Sequence, residues 1–499
     1  MSDFVSQYAR RLQSALAWNG SALNGSAMVA HSDQWPYAIG TVGEALRRDE
    51  AQRRARAVPD VAFNWFTTDF GILAASGPGE VTLKQDLKDA FEKRHGLFVG
   101  STVAYVHPSG LDTDDGSNWQ HAYKTLSKAL RLVTSGTIFL WPGSYDLSDF
   151  RRTDSYGDHP KRIIAPFGGV TLEYQGDDLG GKTWVLSGSY GGVYQTTLTT
   201  ANRVNRILRL DFLDEYGLPM PYPQIDTLAN LGAASIGWHF DTATKVLSVK
   251  SAMAENINAA KVKGALKAVY GDASGDQRTL LYSTTSYWEG ITFHGYVSLL
   301  KEAGQVAPAG WFKNCNFRYC NTHALLVEGG DCFTQGCTVY RAAADGANYN
   351  LSDGYTSKGV EINFTTRKCG DSDTWPGMVG NPQGLGENKN ASSNHSGVVV
   401  RVGGFHSGFY GPGIADTATS KSWNIGVKVG RSDIAPNTAP GLARYGFLNQ
   451  GNAAWCDLCE VTGNDDGFYS DAGAVVKTFA CRGSKVTNAG GTFVEGVPL

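Results

Sequence analysis

The side chains best suited to acid–base chemistry concentrate between Ala342 and Asn424. Five of them can act as an acid, a base or an electrostatic stabiliser: Asp345, Glu361, His395, Arg401 and Asp416. Five more can hydrogen-bond to a sugar or stack on it: Asn348, Tyr355, Trp375, His406 and Tyr410. A pair of carboxyl groups about 5 to 9.5 Å apart can hydrolyse a glycosidic bond. The sequence therefore predicts a carbohydrate groove in this stretch, and a merely solvated polar surface is the alternative.

Strand alternation predicts which of these side chains face solvent. In residues 360–364, apolar residues alternate with Glu361 and Asn363, and in residues 398–402 three valines alternate with Arg401. Because successive side chains of a strand point to opposite faces, we expect the apolar set inside and Glu361 and Arg401 outside. The stretch 365–396 is predicted to be a long loop, and loops of that length usually carry function.

Two cleavage chemistries are open to these residues. Hydrolysis is the preferred hypothesis, with Glu361 as the acid and either Asp345 or Asp416 as the base. A lyase instead needs a base for the proton α to a uronate and a cation for the developing enolate. His395 and Arg401 can fill those two roles.

The cysteines suggest a packing role rather than a metal site. Pairs with metal-site spacing are Cys315 and Cys320, Cys332 and Cys337, and Cys456 and Cys459. Strand alternation puts the members of each such pair on opposite faces, whereas Cys315 and Cys337 are 22 residues apart, as are Cys459 and Cys481. We therefore predict cysteines stacked inside a repeating coil, and neither a metal nor a cofactor. The Asp112–Asp115 run lacks the ligand set of an EF-hand and is typical of Asx turns.

Composition limits the fold class and the partners. The chain has 499 residues, with 44 Lys and Arg against 47 Asp and Glu, and so carries a net charge of −3. So balanced a charge argues against a nucleic-acid partner.

The 61 glycines, with 22 Tyr, 22 Phe and 12 Trp, are typical of a β protein with many tight turns. Polar residues interrupt the longest apolar stretch, Leu12–Ala30, so we expect neither membrane insertion nor a secretory signal.

A repeat of 22 to 24 residues predicts the architecture. Segments beginning at Gly290, Asn314 and Gly336 share a small or polar residue followed by an apolar, a polar and a second apolar residue. Three short strands and three turns per coil need this length, so residues from about 280 onward predict a parallel β-helix of eight or nine rungs.

The opening of this region carries a recognisable motif. A short strand is followed by Ser109, Gly110, Asp112, Asp115 and Gly116, then by a predicted helix and a strand that ends in Pro142, Gly143 and Tyr145. This pattern resembles the start of right-handed parallel β-helix proteins of the pectate-lyase-like superfamily. The resemblance implies a mostly β, single-stranded solenoid over residues 101–499, with the helix 119–133 plugging its end.

Two further regions depart from the repeat. Residues 1–100 predict a small α/β or helical head for attachment and oligomerisation, with helices at Gly43–Ala57 and Val81–His95. Residues at about 190–275 interrupt the rungs, and Trp238–Val249 resembles a hairpin often inserted between early rungs. We expect that region to be an excursion from the helix.

Motifs of pectin-degrading enzymes are missing. The chain has Asp465-Asp466 but no GHG or RxK after it, and it lacks WxDH and RxPxxR. The segments Asp345–Tyr349, Asn390–His395 and Gly411–Asp416 instead resemble β-helix domains of viral and bacterial surface proteins. A pectin-specific assignment is therefore not made.

The resemblance favours a bacteriophage tailspike or comparable virion receptor-binding protein. It implies a parallel homotrimer that binds and depolymerises host surface polysaccharide, with residues 1–100 attached to tail or capsid proteins. Such a protein would be made in the host cytoplasm and located in the virion tail. A non-catalytic virion fibre or decoration protein, and a cellular polysaccharide lyase or hydrolase, are the alternatives.

Overall fold

The structure is a computed structural model. It describes residues 60–66, 74–77, 80–82, 87–95, 100–147, 160–251, 255–281, 284–370, 391–431, 445–451, 453–463, 466–479, 481–483 and 486–495. Trp375 and the predicted helix Gly43–Ala57 lie outside the described residues.

Three long sheets wind around one core as a parallel β-helix, which confirms the predicted fold class. Each complete rung contributes one strand to sheet A, one to sheet B and one to sheet C, in that order. The strands of sheet A are Thr102–Val106, Gly136–Leu140, Lys161–Ile164, Thr285–Glu289, Ala309–Lys313, Asp331–Gln335, Lys358–Ile362, Val398–Val402, Lys421–Ile425, Ala453–Asp457, Val475–Phe479 and Thr492–Glu495. Those of sheet B are Gly143–Asp146, Val170–Glu173, Ile291–His294, Asn316–Arg318, Thr338–Tyr340, Thr365–Arg367, Phe405–Ser407, Lys428–Val429 and Glu460–Val461.

Sheet C completes the coil. Its parallel strands are Arg278–Leu281, Tyr296–Leu300, Leu325–Glu328, Ala347–Ser352, Ser392–Asn394, Ile414–Thr417, Tyr445–Gln450, Asp466–Asp471 and Val486–Ala489. A short strand, Tyr355–Thr356, pairs with the end of Ala347–Ser352 in the antiparallel sense. The predicted loop 365–396 is shorter than expected, because its two ends form strands of sheets B and C.

The turn from sheet A to sheet B is the same in successive rungs. In each rung the first residue of the turn has positive φ: Gly290, Asn314, Gly336, Asn363, Gly403, Gly426 and Leu458; after Gly403, the next residue, Gly404, has positive φ as well. Backbone bonds continue through it, because the N–H of Asn363 donates to the carbonyl of Val402 at 2.8 Å. This left-handed residue interrupts the strand alternation. The side chain that follows it therefore points into the coil, even where the alternation of the preceding strand would place it outside.

The cysteines confirm the repeat. Cys315 and Cys337 follow the left-handed residue in adjacent rungs and are fully buried, and Cys337 Sγ donates to a backbone carbonyl at 3.2 Å. Near the other end, Cys459 is fully buried, and Cys481, one rung on, is partly buried and packs against the core. One part of the prediction was wrong: Cys320, Cys332 and Cys456 are also inside, because a residue with positive φ lies within each pair and resets the alternation.

The outer face of sheet A is apolar and covered. Buried aromatic and aliphatic side chains along it include Tyr287, Trp311, Phe333, Val360, Ile362, Val400, Trp423 and Trp455. A short 3₁₀ helix, Val61–Phe63, and helix α1, Leu87–His95, pack on this row through Phe63, Phe66, Leu87, Ala90 and Phe91. The interface includes Arg94 Nε donating to Asp331 Oδ2 at 3.1 Å and Lys421 Nζ at 3.0 Å from Asp60 Oδ1. The segments 60–66 and 87–95 are therefore packed against the body; the domain boundary at 100 stays a prediction.

Helix α2, Leu126–Leu132, packs into the first rungs of the core. It begins later than the predicted residue 119 because Thr125 is its N-cap, with Thr125 Oγ1 accepting from the backbone N–H of Lys128 at 3.2 Å. Asp112 in turn accepts from the backbone N–H and the hydroxyl of Thr125, at 2.9 and 2.8 Å. The aspartate turn thus supports a helix start, as Asx-turn chemistry predicts.

Residues between Glu173 and Arg278 leave the coil as two antiparallel sheets. One contains Val185–Leu186, Val193–Thr197, Gly237–Asp241 and Val246–Lys250; the other contains Arg203–Leu213, Pro219–Pro221 and Leu266–Gly271. The hairpin predicted within 238–249 is present. The remaining elements are α3 (Leu228–Ala233), α4 (Ala260–Gly264), a 3₁₀ helix (Leu179–Gly181) and a hairpin of Ala74–Gly77 with Glu80–Thr82.

Candidate functional site

Three of the predicted catalytic residues lie inside the coil. Glu361, Arg401 and Asp416 are 1, 1 and 2 % exposed, so the predicted outward orientation of Glu361 and Arg401 is wrong. The error has a definite cause. Val360 and Ile362 point outward beneath the N-terminal segments, and Asn363 resets the alternation, so that Glu361 and Phe364 both point inward.

These three residues form a buried charge network. Arg401 Nε lies 3.4 Å from Glu361 Oε2, and Arg401 Nη1 lies 3.5 Å from Asp416 Oδ1. Ser392 Oγ bridges the pair, donating to Glu361 Oε1 at 2.7 Å and accepting from Arg401 Nε at 2.9 Å. Burial raises the pKa of Glu361 and of Asp416, and the Arg401 guanidinium only partly opposes that increase. The network is internal structure and cannot reach a polysaccharide.

Three other predicted residues are also not assembled into a common groove. His406 is 1 % exposed and its Nδ1 lies 3.0 Å from Thr366 Oγ1. Burial, followed by the charges of neighbouring arginines, lowers the pKa of His406 to about 3. The Tyr355 hydroxyl donates to Asp331 Oδ1 at 2.9 Å, on the carboxylate that also holds α1. Tyr410 is half-buried in the turn before the sheet C strand Ile414–Thr417.

The other predicted residues lie along the outer side of sheet C and the turns beside it. Asp345 precedes the strand Ala347–Ser352, which contains Asn348, and His395 follows the next strand, Ser392–Asn394. The structure adds four residues that the sequence interpretation missed: His323, Asn350, Ser393 and Thr417. We call these seven residues the Asp345 strip.

Asp345 is the centre of the strip. Its Oδ2 accepts from Asn348 Nδ2 at 2.8 Å and from Ser393 Oγ at 2.9 Å. Asn350 Nδ2 donates to Asn348 Oδ1 at 2.5 Å, which extends the network along the strand. Asp345 and Asn348 are recessed, at 3 and 4 % exposure, whereas Asn350 is only partly buried.

An imidazole lies beside this carboxylate. His323 Nδ1 is 3.3 Å from both the backbone nitrogen and the Oδ2 of Asp345, and its side chain is 20 % exposed. A neutral ring can accept the backbone N–H at Nδ1, whereas a protonated ring donates from Nδ1 to the carboxylate. Asp345 therefore orients the ring in either protonation state. The arrangement can transfer a proton between the imidazole and a ligand.

A second imidazole lies further along the strip. His395 is half-buried, and its Nδ1 lies 2.7 Å from Thr417 Oγ1. Within the described part of the chain, its other nitrogen, Nε2, has no hydrogen-bond partner. His395 can therefore donate to, or accept from, a sugar hydroxyl.

The repeat itself contained the signal for two of the missed residues. His323 precedes Asp345 by 22 residues, and Thr417 follows His395 by 22, the same spacing as Cys315 and Cys337. In a coil of that period, residues 22 apart lie beside each other on neighbouring strands. Applying the cysteine spacing to Asp345 and His395 would have identified both partners.

Two features are absent from the described residues. No group of three or more His, Cys, Asp or Glu side chains there is placed to hold a metal ion. No helix in those ranges is both long and apolar enough to cross a bilayer.

No protein-family model and no curated protein matches this chain. Several solved structures are similar to it. Pectate lyase Pel9A shares 12 % identity over 79 % of this chain and 79 % of its own, with a TM-score of 0.40. A glycoside hydrolase shares 11 % identity over 79 % of this chain and 96 % of its own, with a TM-score of 0.38. The tailspike protein gp49 from Pseudomonas phage LKA1 shares 11 % identity over 72 % of this chain and 69 % of its own, with a TM-score of 0.20. Similarity at this level carries no argument about what the chain binds or cleaves.

Proposed function

We propose that this protein is a tailspike-like receptor-binding protein that binds a cell-surface polysaccharide along the Asp345 strip. The observation that carries the proposal is the succession of outward polar side chains on neighbouring strands of sheet C. Rungs about 4.8 Å apart offer hydrogen-bonding groups at intervals along the solenoid. An extended chain of sugars can use such a row residue by residue.

The strip also supports a cleavage role. Because Glu361, Asp416 and Arg401 are internal, neither the carboxylate pair containing Glu361 nor the His395–Arg401 lyase pair is available. Asp345 and His323 are the acid–base pair that remains, with the imidazole as the more exposed member. We assign His323 to proton transfer at the scissile bond and Asp345 to the orientation of the His323 imidazole.

One observation favours a second candidate, a fibre that binds glycan without cleaving it. Asp345 and Asn348 are almost fully buried, so direct contact with a sugar falls to His323, Asn350, His395 and Thr417. These four side chains are sufficient for binding. A second carboxyl group within reach of the bond is what hydrolysis additionally needs.

The proposed biological setting is a homotrimeric spike in a virion tail, attached through residues 1–100. The packing of Phe63, Phe66 and Phe91 along sheet A supports this arrangement, since it couples that region to the solenoid that holds the strip. A trimer mass in light scattering is expected. A monomer at micromolar concentration would contradict the assembly and leave the strip untouched.

Purified capsule and lipopolysaccharide from a panel of bacteria test the function. The parent protein should be retained on at least one of them and should release oligosaccharides detectable by mass spectrometry. His323→Gln should abolish release while retaining the fold, and Asp114→Asn, a surface carboxyl change distant from the strip, should not. Retention without release supports the non-catalytic fibre, and no retention on any glycan contradicts the proposed function.

A further inference from the structure

A second polar face lies on the outside of sheet B. Arg318, Tyr340, Arg367 and Ser407 occupy the same register position on successive strands and point outward, because the intervening Phe317 and Val339 are in the core. Beside them runs a parallel row of hydroxyl and amide side chains: Thr292, Asn316, Thr338 and Thr365. This face is distinct from the Asp345 strip, which is on sheet C.

Among the residues that the structure describes, neither arginine of this row has an acidic partner. Arg367 Nη1 contacts only neutral oxygens, Ser407 Oγ at 2.9 Å and the carbonyls of Thr366 and Phe405 at 3.3 and 3.5 Å. Arg318, which is half-buried, forms neither an ion pair nor a hydrogen bond within the described ranges. Burial lowers the pKa of Arg367, as expected for a guanidinium without a counter-charge.

Two neighbouring cations, by contrast, have carboxylate partners. Lys368 Nζ lies 3.1 Å from Glu215 Oε1, and Arg341 Nη2 lies 4.0 Å from Asp214 Oδ2. Both carboxylates come from the inserted turn between Arg203–Leu213 and Pro219–Pro221. The chain as a whole carries an excess of acidic residues, with a net charge of −3. Two unbalanced guanidiniums on one face therefore indicate a place for an external anion.

The surroundings suit a sugar rather than a bare ion. Arg318 and Arg367 are two strands apart, about 9.5 Å. Tyr340, between them, is 3 % exposed beneath the inserted region, and its hydroxyl donates to Asp214 Oδ2. The inserted turn places the Tyr216 ring, which is 38 % exposed, 5.3 Å from the Arg367 guanidinium. An aromatic ring and a row of hydroxyls beside paired cations match a glycan that carries carboxylates.

We propose that the outer face of sheet B binds an acidic glycan, with Arg318 and Arg367 each pairing with one carboxylate. The proposal goes beyond the Asp345 strip and does not require it. Guanidinium–carboxylate pairs are frequently bidentate, so a lysine at either position would retain charge but lose part of the affinity. Tyr216 and the threonine row contact the neutral part of the chain.

Polygalacturonate oligomers and neutral dextran oligomers of equal length are the probes, measured by calorimetry with the full chain at low and moderate salt. The parent should bind polygalacturonate, more weakly as salt increases, and should not bind dextran. The double variant Arg318→Gln, Arg367→Gln should bind polygalacturonate at least tenfold more weakly than the parent. The double variant Arg318→Lys, Arg367→Lys should have an affinity between those of the parent and the Gln variant. Lys261→Gln combined with Lys263→Gln, on α4, removes equal charge from another surface and should have little effect.

Equal binding by the parent and the Arg318→Gln, Arg367→Gln protein would overturn the proposal, as would equal binding of dextran. Loss of polygalacturonate binding in the Lys261→Gln, Lys263→Gln control would show a nonspecific charge effect and would also overturn it. None of these results bears on retention of the parent by cell-surface glycans, so the failure of this site is distinguishable from failure of the strip.

Discussion

Sheets A and C present outer faces of opposite character. The outer face of sheet A carries large apolar side chains such as Trp311 and Trp423, and it is covered by the segments that contain Phe63 and Phe91. The outer face of sheet C carries the Asp345 strip, in which Asp345, Asn348 and Ser393 are buried but the other four side chains are partly exposed. Outward orientation alone therefore does not make a residue part of a binding surface. What matters is whether another segment of the chain packs on that face.

The largest effect is expected where the covered face is broken. Phe91 is fully buried against Trp311 and Phe333, with ring centroids 5.6 and 5.2 Å apart. Phe91→Ala should therefore reduce the free energy of unfolding by about 3 to 5 kcal/mol, or release α1 from the body. Urea unfolding and limited proteolysis measure these outcomes.

Val61→Ala is the matched control, because Val61 lies in the same N-terminal region but is 81 % exposed. Val61→Ala should have the same free energy of unfolding as the parent. An equal loss of stability in Phe91→Ala and Val61→Ala would mean that packing on sheet A does not hold the N-terminal region in place.

The next largest loss of stability is expected from the buried charge network. Replacing Arg401 with Met leaves the buried carboxyl groups of Glu361 and Asp416 without their cation. Removing one partner of a buried ion pair typically costs about 3 to 5 kcal/mol of the free energy of unfolding. Arg131→Met on the exposed side of α2 should cost little by the same denaturant titration. A loss below about 1 kcal/mol in Arg401→Met would show that the network is not coupled as described.

The repeat and its cysteines were predictable because a buried small residue recurs at a constant spacing. The orientation of the Glu361 side chain was not predictable from strand alternation. Counting alternate residues from Val360 to Phe364 passes through Asn363, whose left-handed φ of 50° resets the alternation. The apolar pattern also gave the wrong face, because Val360 and Ile362 lie in one cluster with the N-terminal segments, roughly 270 to 300 residues earlier in the chain, instead of in the coil interior. Of the candidate site, Asp345, Asn348 and His395 were named, and the 22-residue spacing could have added His323 and Thr417.

The left-handed turn residue gives a smaller, local test. Asn tolerates positive φ better than residues with other side chains, and Gly does so without steric cost. Asn363→Ala should lower the free energy of unfolding by about 1 to 2 kcal/mol, while Asn363→Gly should be close to neutral. Chemical denaturation of both proteins compares them directly. Equal stability of the two would contradict a left-handed Asn363.

The smallest expected effect is a pH dependence from Glu361. Burial raises its folded pKa above the ordinary 4.5, so its stabilising contribution is present below that pH and is lost as the pH rises through the folded pKa. Glu361→Gln removes this titration. The free energy of unfolding of the parent, minus that of the variant, should therefore fall with rising pH, by about 1.4 kcal/mol per unit between the two pKa values. A difference that increases with pH would show that the folded pKa is lowered instead.

The central claim is that the outer face of sheet C, and not the interior carboxylates, binds polysaccharide. The direct measurement is the Kd for whichever surface glycan retains the parent, compared among His395→Gln, Asn350→Ala and Glu361→Gln proteins of verified fold. The account predicts up to about tenfold weaker binding for each change in the Asp345 strip, since one lost hydrogen bond is worth about 0.5 to 1.5 kcal/mol. Glu361→Gln should bind as the parent does. Unchanged affinity in both strip variants, together with weakened binding in Glu361→Gln, would contradict the claim.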